Sequence, residues 1–204
     1  MKATGSVFLL GWLLLAHSVL ASSPQSRIED EEYRVYDSLI PKKFLNKKER
    51  GVVIENRTTF NAGDDLIFLK TQPDLTQRLA TLDERYEILG HQLGGISLEI
   101  LKDFRAKDSR PYEITPRHRL TAKYVLLSKK RVITLFQQWQ GDWNYPHTIG
   151  VISFSRVGFN AAKTEAIVYV RFSCGRRCSS SEFVFLSKTQ QEWRKKSSYV
   201  TLQS

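Results

Sequence analysis

Cysteine is scarce, with only Cys174 and Cys178 in a chain of 204 residues. Two cysteines cannot make a cysteine-dense scaffold, a four-cysteine zinc finger or an iron–sulfur cluster by themselves. Glycine and proline are sparse, at 11 and 6 residues, and no repeat runs through the chain. Collagen, low-complexity linker and disordered tail are excluded on that ground. Familiar catalytic signatures are missing too: there is no G-x-S-x-G, no H-E-x-x-H, no Walker phosphate loop and no G-x-G-x-x-G. Sites assembled from distant residues leave no such trace, so an enzyme is made less probable without being ruled out. Negative charge is also in short supply, with 21 Asp plus Glu against 31 Lys plus Arg, a net charge of +10.

What is present describes a packed domain. The chain is 41% hydrophobic and 25% charged, the proportions of a globular protein. Lys2 is the one charged side chain before Arg27, and an apolar run fills Val7 to Ala16. Val19 and Ala21 then form a small-residue exit. A positive start, a short apolar core and a V-x-A exit predict a signal peptide, residues 1–21, cut after Ala21. The apolar core is short of the roughly 20 residues that a membrane-spanning helix needs. The rival is an uncleaved anchor, because the uncharged stretch from Ala3 to Ser26 is 24 residues long. Nothing after residue 26 is long or apolar enough to span. The expected location is secreted or periplasmic, and the mature chain, residues 22–204, carries a net charge of +9 once Lys2 is removed.

Periodicity divides the mature chain into a helical part, about 22–143, and a β-meander, about 149–202. A helix is predicted over Ile28–Ile40, with an acidic start and a stripe of Tyr33, Tyr36 and Leu39 or Ile40. VVIENRTTF from Val52 and YVLLS from Tyr124 read as strands, and LIFLK from Leu66 as a possible short one. Leu75, Leu79, Leu82, Tyr86 and Leu89 recur at helical spacing until Gly90, Gly94 and Gly95. A further helix presents Ile96, Ile100, Leu101 and Phe104. Ser128 caps a last one, whose expected face holds Val132, Leu135 or Phe136, and Trp139. After Gly150 three aromatic and β-branched runs are joined by short links, which favours antiparallel hairpins over parallel crossovers. Within AIVYVRF, Ala166, Val168, Val170 and Phe172 alternate with Ile167, Tyr169 and Arg171. The expected fold is a single α+β domain, N-terminal helices packed on a C-terminal antiparallel meander.

Several phrases in the last third belong together. They are Tyr145-Pro146, Gly150, Ser155 to Asn160, Ala166 to Val170, Cys174 to Cys178, and Leu186 to Trp193. With YVLLSK at Tyr124 to Lys129, and YRVYDSLI and VVIENRT nearer the start, the chain resembles an uncharacterised family of secreted proteins of soil and environmental bacteria. The resemblance covers most of the mature chain and implies export and hairpin architecture. It implies no activity, substrate or cofactor. Two departures concern turns: Ser179, Ser180 and Ser181 stand where the family is glycine-rich, and Gln191-Glu192 replaces a glycine before Trp193.

Chemistry is concentrated in three places. Cys174 and Cys178 have Cys-x3-Cys spacing, not the Cys-x-x-Cys of redox sites, and an exported chain makes a disulfide the expected state. A redox pair, or a metal site completed by His91, His118 or His147, is the weaker alternative. Arg176 and Arg177, inside that loop, could grip an acidic or phosphorylated partner or simply be solvated. Asp142, Trp143, Asn144, Tyr145, Pro146 and His147 gather polar and aromatic groups in one connection, with His147 and Asp142 as a conceivable acid–base pair. Arg156 either pairs within the fold or binds an anion.

Basic residues cluster at Lys42 to Arg50, Arg110 to Lys123, Lys129 to Arg131 and Arg194 to Lys196. Export argues against nucleic acid as a partner and for an anionic surface, an anionic polymer or an acidic protein. Asn56-Arg57-Thr58 is a formal glycosylation sequon, silent in a bacterial host. The leading expectation is an exported binding or structural module with a basic surface and no cofactor. The alternative is a secreted or periplasmic hydrolase with a site near Asp142–His147 and the Cys174–Cys178 turn.

Overall fold

The computed structural model describes residues 27–40, 51–62, 82–116, 120–139, 143–175 and 177–203. The expected signal peptide, the 41–50 basic stretch, LIFLK, Leu75, Leu79, His118, Asp142 and Arg176 lie outside these residues.

Helix α1 spans Asp30–Leu39 and starts on three acidic residues, Asp30, Glu31 and Glu32, which suit the positive end of the helix dipole. It buries Glu32, Tyr33, Val35 and Tyr36. Helix α2, Leu82–Gln92, buries Tyr86 and Leu89 and ends at Gly94 and Gly95, both at φ +85°. Only glycine takes that conformation freely, which is why the helix stops there. Helix α3, Leu98–Lys107, is capped by Ser97 and buries Ile100, Leu101 and Phe104. Helix α4, Lys129–Gln138, begins where the Ser128 hydroxyl accepts from Arg131 N at 3.2 Å. It buries Val132 and Leu135, but Trp139 leaves the helix at its C-cap and is exposed, contrary to the expected face.

Seven described strands form one open sheet: β1 (Gly51–Glu55), β2 (Tyr124–Leu127), β3 (Thr148–Phe154), β4 (Gly158–Phe159), β5 (Glu165–Gly175), β6 (Cys178–Thr189) and β7 (Glu192–Gln203). Their order is β2-β1-β3-β5-β6-β7, with β4 beside β5. From β3 onward every pairing is antiparallel, as the short links require. The purely antiparallel expectation is corrected on the other side, where β1 runs parallel to both β2 and β3. The reason is connection length: chain containing α2 and α3 separates β1 from β2, and chain containing α4 separates β2 from β3. Each is long enough for a parallel crossover.

Helices cover both faces of the sheet. On one face α1, Tyr112, Ile114, Leu120 and Ala122 pack on Val52, Ile54, Ile152, Phe154, Val168 and Val184. The other face is covered in two places. Helices α2 and α3 pack on Ile167, Tyr169, Phe183 and Phe185, while α4 packs on Val53 and Val151.

Residues 155–160 explain why β3 and β4 are two strands and not one. Ser155 keeps its ladder bond, N to Tyr169 O at 2.9 Å, but its hydroxyl and not its carbonyl accepts from Tyr169 N. The carbonyl thus freed accepts from Tyr36 Oη at 2.8 Å. Arg156 turns toward α1 and is fully buried against Glu32. Gly158 meets α3 so closely that a Cβ there would sit 2.6 Å from Phe104 N. Phe159 N donates to Asp103 Oδ2, and its ring packs 5.7 Å from that of Trp193. Trp193 Nε1 in turn donates to Glu31 at 2.8 Å, beside Lys188 at 2.9 Å. Partial burial opposes charge on Glu31, but those two partners hold its carboxyl below the usual range.

Candidate functional site

Between the two helix-covered areas, a polar row crosses the sheet. Ser153 on β3 faces Arg171 on β5, and Arg171 faces Ser181 on β6. Ser181 Oγ lies 2.8 Å from Thr201 Oγ1 on β7. At the other end Glu55 closes β1 and is hydrogen-bonded with Ser153. Polar groups in the middle of a sheet face cost free energy unless paired or hydrated. Here the helix layer parts over them, leaving a trough of about 260 Å³. Its floor holds Glu55, Ser153 and Arg171, and α4 supplies one wall with Lys129, Val132 and Phe136.

The charges of the trough are incompletely matched. Arg171 and Lys129 both act on Glu55, yet neither side chain makes a hydrogen bond or ion pair with another described residue. The β7 cations differ, since Arg194, Lys195 and Lys196 pair with Glu192, Glu182 and Glu165. Burial pushes the Glu55 carboxyl above its usual range, more than Lys129, Ser153 and Arg171 pull it back. Helix α4 opens on Lys129, Lys130 and Arg131 with no acidic residue in its first turn. Positive side chains at a positive helix end repel the dipole, and an anion arriving there relieves that repulsion. Thr59 also lines the trough, and its buried hydroxyl has no partner among the described residues.

The residues singled out from sequence go elsewhere. Cys174 and Cys178 have paired Sγ atoms and Cα atoms 5.1 Å apart, within the disulfide range, at the tip of the β5–β6 hairpin. Arg177 is exposed at that tip. Trp143 and Tyr145 are half-buried beside α4, where the Trp143 ring lies 5.2 Å from that of Phe136 and 6.1 Å from that of Tyr145. Trp143 Nε1 donates to Thr148 Oγ1 at 3.0 Å, which fixes the entry to β3. His147 is exposed at φ +56°, and its carbonyl accepts from Gly51 N at 2.7 Å. Arg156 lies on the α1 side, away from this connection, with its charge met by Glu32. The structure therefore joins Trp143, Tyr145 and Thr148 but does not bring Arg156 to them.

Glu55, Lys129, Ser153 and Arg171 belong to no short motif. Their one signal lies in alternation: Arg171 ends an otherwise apolar row of Ile167 and Tyr169, and Glu55 ends a run of β-branched residues. Recognising the pair needs the register, because 116 positions separate them in sequence. Among the described residues no group of three or more His, Cys, Asp or Glu could hold a metal ion, and no helix is long and apolar enough to cross a membrane. Comparison with protein-family models, curated proteins and solved structures finds no match to the chain.

Proposed function

We propose that this chain is a small exported binding module that takes up an anionic group in the trough between α4 and the outer strands. The observation that carries the reading is the presence of two cations without ion-pair partners among the described residues, Arg171 and Lys129, at one recess. Guanidinium and ammonium groups recognise carboxylate and phosphate oxygens, and Arg171 presents several donors in one plane. The hydroxyls of Ser153, Ser173 and Ser179 add neutral donors along the same floor. Of the basic clusters, Arg194–Lys196 offers less free charge than the trough, because its three cations are already paired with acids. The expected anionic partner is thereby narrowed to one that can place a single anionic group in a recess.

Titration of isotope-labelled protein with acetate or inorganic phosphate tests this by NMR. Saturable amide shifts should centre on Glu55, Lys129, Ser153 and Arg171, and Arg171→Gln should weaken the binding they report. Shifts that never saturate, or that persist unchanged in Arg171→Gln, contradict the reading.

A further inference from the structure

The trough has a second chemical character besides charge. Along α4, Val132, Ile133 and Phe136 face it, and Leu202 on β7 stands across from them. Ile133 and Leu202 are 46% and 49% exposed, large apolar side chains left open to water beside the cavity. The remaining α4 apolar residue, Leu135, is buried in the ordinary way. An apolar wall and a charged floor in one recess call for a ligand with the same division.

Resting on the anion-binding reading, we infer that the ligand class is an amphipathic monocarboxylic acid, its carboxylate on Arg171 and Lys129 and its apolar tail along Ile133, Phe136 and Leu202. Three observations select this chemistry. First, Glu55 lines the same recess as the two cations and acts electrostatically with both. With Glu55 ionised the trough carries one net positive charge, which matches one carboxylate and disfavours a polyanion. Second, the recess of about 260 Å³ is on the scale of a small-molecule site, with space for a carboxylate and a short tail together. Third, a tail laid on Ile133 and Leu202 removes from water apolar surface that the fold leaves exposed. Binding involves no covalent step.

Isothermal titration of the full exported chain with octanoate, acetate and 1-octanol separates the parts. Octanoate should bind at least about tenfold more tightly than acetate, since several buried methylenes contribute at about 0.8 kcal/mol each. 1-Octanol, which has the tail without the charge, should bind more weakly than octanoate. Ile133→Asn, a neutral change at an exposed position that the fold does not need buried, should cost octanoate at least fivefold and leave acetate unchanged. Arg171→Gln should weaken both acids. If octanoate binds no better than acetate while both depend on Arg171, the inference fails and the anion-binding reading stands. If neither acid binds, both fail. Equal affinity for octanoate and 1-octanol, or loss of acetate together with octanoate in Ile133→Asn, also overturns the inference.

Discussion

Arg156 and Glu32 form an ion pair with no solvent exposure on either side chain, although 124 residues separate them in sequence. Arg156 Nε lies 2.8 Å from Glu32 Oε2, and Nη2 lies 2.7 Å from Oε1. The carboxylate also accepts from Val157 N at 2.9 Å and from Glu29 N at 3.1 Å. The Tyr112 ring faces the guanidinium at 4.2 Å. Burial opposes the charge on Arg156, but bonding to Glu32 outweighs it and holds the guanidinium above its usual pKa. The pair locks α1 onto the break between β3 and β4.

Removing one partner leaves the other charge buried and alone, which costs about 3–5 kcal/mol. Urea denaturation of Arg156→Met and of Glu32→Leu should show losses of that size. The double variant should recover part of the loss, because two apolar side chains leave no stranded charge. Additive losses would mean that the two residues act separately.

Glu55 makes the fold sensitive to pH in a direction opposite to most carboxylates. Its pKa is raised in the folded state, so its contribution is intact below the ordinary carboxylate range and is lost as pH rises through the raised value. Glu55→Gln removes that loss. Thermal melts should show the variant level with the wild type near about pH 4 and more stable near about pH 7. The facing groups, Lys129 from α4 with Ser153 and Arg171 from the neighbouring strands, are unchanged by the substitution. The same variant should bind octanoate severalfold more tightly at neutral pH, since a competing negative charge is gone. A variant less stable than the wild type at neutral pH contradicts this account.

Gly158 is where α3 touches the sheet edge. A Cβ there would lie 2.5 Å from Phe104 Cβ and 2.7 Å from Phe104 Cα, so relief requires movement of the helix backbone. Overpacking of this kind costs about 1–3 kcal/mol. Gly158→Ala should therefore lower the denaturation midpoint, and a neutral result would show that α3 is less closely seated.

The Cys174–Cys178 bridge closes a loop of five residues, for which chain entropy gives about 2 kcal/mol. Mass analysis of the protein purified without reductant should find it two protons light. Ser replacement of both cysteines should cost about 2 kcal/mol at most and leave octanoate binding in place. Free thiols in protein purified this way contradict the pairing.

Local signals were legible where a short stretch decides its own conformation. The spacing of Tyr33 and Tyr36, the Ser128 cap and the short links after Gly150 each lead to the observed α1, α4 and antiparallel strands. Parallel pairing of Gly51–Glu55 with Tyr124–Leu127 was not legible, because register between distant strands leaves no local mark. The same holds for the candidate site. Asp142 to His147 drew notice as a dense polar run, yet density in sequence does not fix direction in space, and Trp143 and His147 are used to shape the entry to β3. Arg156 looked available to a ligand because its partner, Glu32, lies on a helix more than a hundred residues earlier. Arg171 and Glu55 come to one recess through a register that only the assembled sheet defines.

Most direct for the central claim is a crystal structure of the chain with 8-bromooctanoate, in which anomalous scattering locates the bromine. The account predicts the carboxylate within hydrogen-bond distance of Arg171 and Lys129, with the bromine beside Ile133, Phe136 and Leu202. A bromine signal elsewhere on the molecule, with the trough holding only solvent, would contradict it.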